Sequence, residues 1–217
     1  MRRPEKIVCV GQNYRAHRAE MGGDEVAIPT IFGKFAATVI GDGDAIVLPP
    51  ESSHVDAEAE LAVVIGKPAR RVSRERALSF VAGYTCANDV SARDLQYGDG
   101  QWFRGKNFAT FCPVGPDEPV PVSELGDGSG LRVVQKLNGA VLQDGNTDDL
   151  IFDVPYLVAF ASALFTLEPG DLILTGTPAG VGYAREPRVA LQDGDVVEVA
   201  VEGIATLRNP VVSETGS

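Results

Sequence analysis

The sequence predicts an α+β fold in which β-structure predominates. The chain has 217 residues, and its 24 glycines and 14 prolines fall between short runs rich in valine, isoleucine and leucine. Such punctuation is typical of many short strands joined by tight turns. The dipeptide Asn138-Gly139 is a strong hairpin signal because both residues tolerate positive φ.

Strands are expected where an apolar run is bounded by turn residues. Eight such runs lie at residues 6–11, 45–48, 59–65, 82–88, 132–137, 140–143, 171–175 and 196–201. The stretch 117–130 is polar and rich in glycine and proline, and we expect it to be a surface loop. Because 44% of the residues are hydrophobic, a chain of this length can bury one core, so residues 1–217 are expected to form a single domain.

Three helices are expected between these strands. Residues 73–81 start at Ser73 and residues 153–164 start at Asp153, and both residue types are favoured N-caps. A shorter helix is expected at 14–21, before a pair of glycines. The helices are few and short, which agrees with a mainly β fold.

Composition narrows the function classes. The net charge of −11 opposes binding to nucleic acid or to an anionic membrane, and no apolar run is long enough to cross a bilayer. The three cysteines, Cys9, Cys86 and Cys112, are widely spaced, so we expect free thiols in a reducing compartment. The first residues lack a secretory apolar segment. A cytoplasmic protein is the expectation.

Two carboxylates lie on one face of a strand that is otherwise apolar. Glu58 and Glu60 alternate in the segment 58–65, and successive side chains of a strand point to opposite faces. Two like charges entering a buried strand need a compensating cation or hydrogen-bond donors. The alternative, from spacing alone, is an exposed strand end with solvated glutamates.

A third carboxylate follows the next strand. Asp89 comes directly after the apolar run 84–87 and Asn88, and three oxygen ligands suit Mg²⁺ or Mn²⁺ with positions left open for water or substrate. Asp94 is the rival third ligand. The spacing of Glu58 and Glu60 would also fit a glycosidase pair, but one tryptophan and 7% aromatic residues give little support for a sugar cleft.

Several segments together resemble the fumarylacetoacetate hydrolase family in its single-domain form. They are the stretches 10–20 (VGQNYRAHRAE), 55–66 (VDAEAELAVVIG), 83–96, 102–116, 143–147 (QDGNT), 167–182 and 202–210. The resemblance implies a mixed β-sandwich roll with a few short helices, and a homodimer. It also implies that Glu58, Glu60 and Asp89 hold Mg²⁺ or Mn²⁺.

The same resemblance implies roles for six further residues. His17 and Glu20 match a catalytic dyad on a lid over the substrate, and Lys106 matches an active-site lysine. Contacts with the substrate are implied for Arg93, Gln96 and Thr177.

The implied activity is metal-dependent chemistry on 2-oxo or 2,4-dioxo acids through an enolate that the metal stabilises. The first expectation is C–C bond hydrolysis of an acylpyruvate-type substrate, with Glu20, oriented by His17, activating water. One alternative is a decarboxylase or isomerase in aromatic catabolism, acting on oxaloacetate or on 2-hydroxyhepta-2,4-diene-1,7-dioate. The other is a non-catalytic relative that binds a small-molecule metabolite.

Overall fold

A computed structural model describes residues 4–24 and 26–214. Strands predominate in this part of the chain, as predicted, and they form a seven-stranded, a five-stranded and a two-stranded sheet. In chain order the strands are β1 (Ile7–Gly11), β2 (Thr30–Lys34), β3 (Val39–Ile40), β4 (Ile46–Leu48), β5 (Val55–Asp56), β6 (Ala59–Ile65), β7 (Val81–Asn88), β8 (Ser91–Ala92), β9 (Cys112–Pro121), β10 (Arg132–Leu137), β11 (Ala140–Asn146), β12 (Leu172–Leu174), β13 (Val196–Val201) and β14 (Ala205–Ser213).

The helices are short. They are α1 (Arg15–Glu20), α2 (Arg93–Gly98), α3 (Phe103–Lys106), α4 (Val122–Leu125) and α5 (Val154–Leu164). Four 3-10 segments complete the secondary structure of the described residues, at Ala36–Thr38, Arg74–Phe80, Thr147–Asp149 and Gly182–Ala184. No helix among the described residues is long and apolar enough to span a membrane.

The large sheet has the strand order β2-β1-β12-β6-β7-β9-β3, and the second sheet has the order β11-β10-β13-β14-β4. Strand β6 lies in the middle of the large sheet and is buried along its whole length. One face of β6, with Leu61 and Val63, packs into a large core shared with the second sheet. The opposite face, with Ala62 and Val64, packs into a smaller core. A mixed sheet with both faces covered explains why β6 is apolar on both faces apart from Glu60.

A substitution at Leu61 tests how much this packing contributes to stability. Its side chain is fully buried in the larger core. We expect Leu61→Ala to lower the free energy of unfolding by about 2 to 5 kcal/mol, because it removes buried methyl groups and leaves a cavity. Urea unfolding followed by circular dichroism measures this loss. Val141→Ala, at an exposed position of β11, should change the same quantity by less than about 0.5 kcal/mol, and equal losses would contradict the assigned core.

The predicted helix at 73–81 is a 3-10 helix, Arg74–Phe80. Ser73 precedes it but makes no side-chain cap hydrogen bond, so one of the expected stabilising contacts of an α-helix start is missing. The helix predicted at 153–164 is confirmed as α5, and Asp153 caps it by accepting from the backbone N–H of Tyr156. The helix predicted at 14–21 is α1.

The predicted loop 117–130 is wrong over its first part, because β9 continues to Pro121 and α4 follows directly. The four prolines of β9 cannot donate a backbone hydrogen bond to a neighbouring strand, and those after residue 116 favoured the loop prediction. The pairing of β9 with β7 accommodates them through a register shift between Tyr84 and Cys86. Six strands were not predicted: β2, β3, β5, β8, β9 and β14. All three cysteines are free and buried.

Candidate metal centre and active-site cavity

Glu58, Glu60 and Asp89 form one buried carboxylate cluster, as the sequence predicted. Antiparallel pairing of β6 with β7 sets Ala59 opposite Asn88, so Asp89 arrives beside Glu58. The backbone N–H of Asp89 donates to the carbonyl of Glu58 at 2.9 Å. One oxygen from each carboxylate lies within 4.8 Å of the other two.

Two of the three carboxylates are paired with basic side chains. The Lys106 ammonium is 2.7 Å from Glu58 Oε2 and 2.7 Å from Asp89 Oδ2. Arg93 Nη1 is 2.7 Å from Glu58 Oε1, and Lys34 Nζ is 2.6 Å from Asp89 Oδ1. Burial alone would raise the pKa of Glu58, but the positive charges of Arg93 and Lys106 lower it well below its usual range. Glu58 is therefore ionised.

Glu60 is different, and it indicates that the cluster fits a cation. Its Oε2 accepts from the backbone N–H of Gly176 at 2.7 Å. Across residues 4–24 and 26–214, no basic side chain lies within ion-pair distance of Glu60. Burial and the charges of Asp89 and Glu58 raise its pKa well above the usual value. Because a buried carboxylate with this repulsion needs a counter-charge, the donor set suits a divalent metal ion with oxygen ligands.

Asp94, the rival third ligand, is elsewhere. Its carboxylate accepts from the hydroxyls of Ser52 and Ser53 at 2.6 and 3.1 Å and from the Ser53 backbone N–H at 2.9 Å. Asp94 lies in the first turn of α2, and these hydrogen bonds connect it to the turn that precedes β5. Asp89 is therefore the carboxylate that completes the cluster.

His17 and Glu20 form the predicted pair on α1. His17 Nδ1 is 3.0 Å from Glu20 Oε2, and the other Glu20 oxygen, Oε1, accepts from the Gly180 backbone N–H at 2.9 Å. Burial alone would raise the pKa of Glu20, but these hydrogen bonds lower it overall. Since a carboxylate can only accept, the pair places the proton of a neutral imidazole on Nδ1. Nε2 is then free to accept a proton.

The structure brings eight of the nine predicted site residues to one cavity. Glu20 is the exception: it contacts His17 and the Gly180 backbone and is not among the lining residues. The described residues that line the cavity are Val10, Gly11, Gln12, His17, Phe32, Glu58, Glu60, Asp89, Arg93, Gln96, Tyr97, Trp102, Lys106 and Thr177.

Arg93 and Gln96 are held together on α2. Arg93 Nε and Nη2 donate to Asp56 Oδ2 at 3.0 and 2.8 Å, and Nη1 donates to Gln96 Oε1 at 3.1 Å. An arginine can only donate, so this contact fixes the side-chain orientation of Gln96. The amide nitrogen of Gln96 is left to donate into the cavity, whereas Arg93 is committed to Asp56, Glu58 and Gln96.

Thr177 lines the cavity with its hydroxyl already engaged. Thr177 Oγ1 donates to the carbonyl of Ala59 at 2.9 Å and accepts from Gln143 Nε2 at 2.7 Å. The single hydroxyl proton is thus used within the protein. Thr177 ties the glycine-rich segment 175–182 to β6, next to the carboxylates.

Two residues of the site were missed from the sequence. Asp56 accepts from Arg93 and from the backbone N–H groups of Gly182 and Tyr183, both at 3.0 Å. It lies two positions before Glu58, so the alternation of strand residues could have suggested it. Lys34 had no local signal, because it reaches Asp89 only through the pairing of β2 with β1.

Comparison with known proteins identifies the family. The family model described as "Fumarylacetoacetate (FAA) hydrolase C-terminal" matches residues 6–212. The chain is 46% identical over 212 residues to the mitochondrial oxaloacetate tautomerase FAHD2A of Bos taurus. The aligned region covers 97% of this chain and 67% of that protein.

Two solved structures are similarly close. That of 5-carboxymethyl-2-hydroxymuconate delta-isomerase from Mycobacterium smegmatis is 45% identical, with a TM-score of 0.87, over 99% of this chain and 81% of the other. The structure of 2-hydroxyhepta-2,4-diene-1,7-dioate isomerase from Mycobacterium marinum is 45% identical, with a TM-score of 0.86, over 99% of this chain and 77% of the other. Together with the carboxylate cluster and its cavity, these matches show that the chain is an enzyme of the fumarylacetoacetate hydrolase family.

Proposed function

We propose that this enzyme is a divalent-metal-dependent isomerase that moves a proton at C3 of a 2-oxo acid. The first expectation, hydrolysis of an acylpyruvate, has less support than the alternative. The similar proteins are named as an oxaloacetate tautomerase and as two isomerases of unsaturated acids. Keto–enol tautomerisation and double-bond isomerisation share one elementary event, the removal of a proton next to a carbonyl.

The position of His17 is the observation that carries this proposal. His17 lines the cavity, whereas Glu20 is not among the lining residues and has both oxygens engaged, one with His17 Nδ1 and the other with the Gly180 backbone N–H. This order suits an imidazole that exchanges a proton with substrate, positioned by a carboxylate. A water-activating Glu20 would need an oxygen directed at the cavity.

The metal is proposed to be Mg²⁺ or Mn²⁺, held by Glu58, Glu60 and Asp89. When bound, such a cation acts as a Lewis acid for the 2-oxo group. Lys106 adds a second positive charge beside the carboxylates. Burial would lower the pKa of Lys106, but the charges of Asp89 and Glu58 raise it overall, so the ammonium persists. Gln96 supplies a neutral donor for an oxygen of the substrate.

The chain's own residues then carry the proton. His17 Nε2 removes a proton from C3, the C–H electron pair forms the C2=C3 double bond, and the carbonyl π electrons move to the 2-oxo oxygen. Return of the proton to that oxygen yields the enol. In a conjugated substrate, return to a more distant carbon yields the shifted double bond. The carboxylate of Glu20 stabilises the imidazolium formed between these steps.

A small-molecule 2-oxo acid substrate and a homodimer remain part of the proposal, supported by the family resemblance. Sedimentation of the purified chain tests the dimer. The cytoplasmic location stays a prediction, and one of the similar proteins is named as mitochondrial.

Parallel assays test the proposed reaction. Enol oxaloacetate absorbs in the ultraviolet, so its conversion to the keto form can be followed directly, beside hydrolysis of acetylpyruvate and decarboxylation of oxaloacetate. We expect Mg²⁺ or Mn²⁺ to support enol–keto conversion, EDTA to abolish it, and the other two reactions to be much slower. Rapid acetylpyruvate hydrolysis without any tautomerisation would restore the hydrolase hypothesis.

A further inference from the structure

The cavity wall beyond Gln96 is aromatic and leads to an arginine. Tyr97 lines the cavity and is 40% exposed, so it stands at the cavity mouth. The rings of Tyr97 and Tyr183 are 5.2 Å apart between centroids. The guanidinium carbon of Arg188 lies 4.1 Å from the centroid of Tyr183. Arg188 is therefore two aromatic contacts away from the interior of the site.

Tyr183 is hydrogen-bonded to Asp56, whose ion pair with Arg93 adjoins the carboxylate cluster. Its backbone N–H donates to Asp56 Oδ2 at 3.0 Å, and Asp56 also binds Arg93. The ring of His54 meets the Tyr183 ring edge-on at 5.4 Å. A tyrosine held at its backbone and ring provides a firm platform, and an arginine stacked on it loses less freedom when it binds an anion.

Arg188 has its hydrogen-bonding capacity available. Its side chain is exposed, and within residues 4–24 and 26–214 it forms no ion pair. Arg185, three positions earlier, is committed instead to the carbonyls of Gly180 and Leu142. In a chain with a net charge of −11, an available arginine beyond the cavity mouth provides a local attraction for an anion.

We propose that Arg188, stacked on Tyr183, is a specificity-determining residue that binds the distal carboxylate of a 2-oxo dicarboxylic acid. This inference rests on the proposed function, which places the 2-oxo acid end of the substrate at the carboxylate cluster. The carbon chain then passes along Tyr97 and Tyr183. Because Arg188 lies outside these rings, the preferred dicarboxylate is longer than oxaloacetate.

Two ligands of equal length isolate the effect. 2-Oxoadipate and 2-oxohexanoate share the 2-oxo acid end and the chain length, and they differ in a terminal carboxylate against a methyl group. Their affinities are measured by calorimetry with the full chain in saturating Mg²⁺, for the wild type, Arg188→Gln and Arg76→Gln. Arg76 is the matched control because it is also exposed and its guanidinium also lies over a partly buried ring, that of Phe80, at 5.8 Å from the centroid.

The wild type and Arg76→Gln should bind 2-oxoadipate about fivefold more tightly than 2-oxohexanoate, as expected for one accessible arginine–carboxylate pair. Arg188→Gln should lose this preference and bind 2-oxohexanoate as before. No preference in the wild type, or a preference that survives Arg188→Gln, overturns the assignment of Arg188. Failure to bind either acid overturns the proposed function and this inference with it. If the wild type prefers 2-oxoadipate but exchanges no C3 proton of it in deuterated water, the isomerase proposal is contradicted and the assignment of Arg188 stands.

Discussion

Replacing Glu60 by glutamine is expected to weaken the binding of Mg²⁺ and Mn²⁺ by more than about 100-fold, since loss of an indirect partner of a metal ligand already costs 10- to 100-fold. Glu60 is the one carboxylate of the cluster that the described residues leave without a basic partner, and its hydrogen bond from Gly176 can be kept by a glutamine oxygen. The change thus removes charge while it preserves shape. Calorimetric titration with each metal measures the effect, and enol–keto conversion should disappear with the metal.

Stability gives an independent readout of the same substitution. The raised pKa of Glu60, caused by burial and by the charges of Asp89 and Glu58, means that the folded protein binds this proton more tightly than the unfolded chain. In EDTA, wild-type stability should therefore fall as the pH rises above about 4.3, the ordinary glutamate value. Glu60→Gln should lack that contribution and be at least as stable at neutral pH.

Asp94→Asn serves as the control for the metal site. Asp94 is held by Ser52 and Ser53, away from the cluster, so metal affinity should stay at the wild-type value. If Asp94→Asn and Glu60→Gln weakened metal binding equally, the ligand set of Glu58, Glu60 and Asp89 would be wrong.

The centre of the fold was predictable because its signals are local. Strand β6 is apolar apart from Glu60. Glu58, directly before β6, shares the face of Glu60, as the two-residue repeat of a strand predicts. Asp89 could be added because it ends the next strand along the chain. The resemblance then supplied His17 and Lys106, for which the spacing alone was ambiguous.

The parts that were missed depend on contacts between distant segments. Lys34 reaches Asp89 across 55 positions and lies on β2, an edge strand whose short sequence carries no strong period. Strand β9 contains prolines that predict a loop, and its neighbours in the sheet override that preference. Strand β14 includes Asn209-Pro210, a turn-like pair that pairing with β13 and β4 holds extended.

The division of roles between His17 and Glu20 is the second prediction with a large effect. His17→Gln should lower kcat for enol–keto conversion by about 10²- to 10⁴-fold, the usual contribution of a general acid–base group. Binding of Mg²⁺ and of oxalate, a planar mimic of the 2-oxo acid end, should remain close to wild type, because His17 contributes no ligand to the carboxylate cluster. Steady-state kinetics and calorimetry on the same preparation separate these quantities.

Glu20→Gln decides which member of the pair exchanges the proton. If Glu20 positions and stabilises His17, its loss should cost less, roughly 10- to 100-fold, as for other carboxylates that orient a functional histidine. A glutamine retains an oxygen for His17 Nδ1–H but carries no charge to stabilise the imidazolium. A larger loss in Glu20→Gln than in His17→Gln would instead make Glu20 the base, as the hydrolytic mechanism requires. Because both variants keep the carboxylate cluster intact, the ratio of their kcat values distinguishes proton transfer to carbon from activation of water.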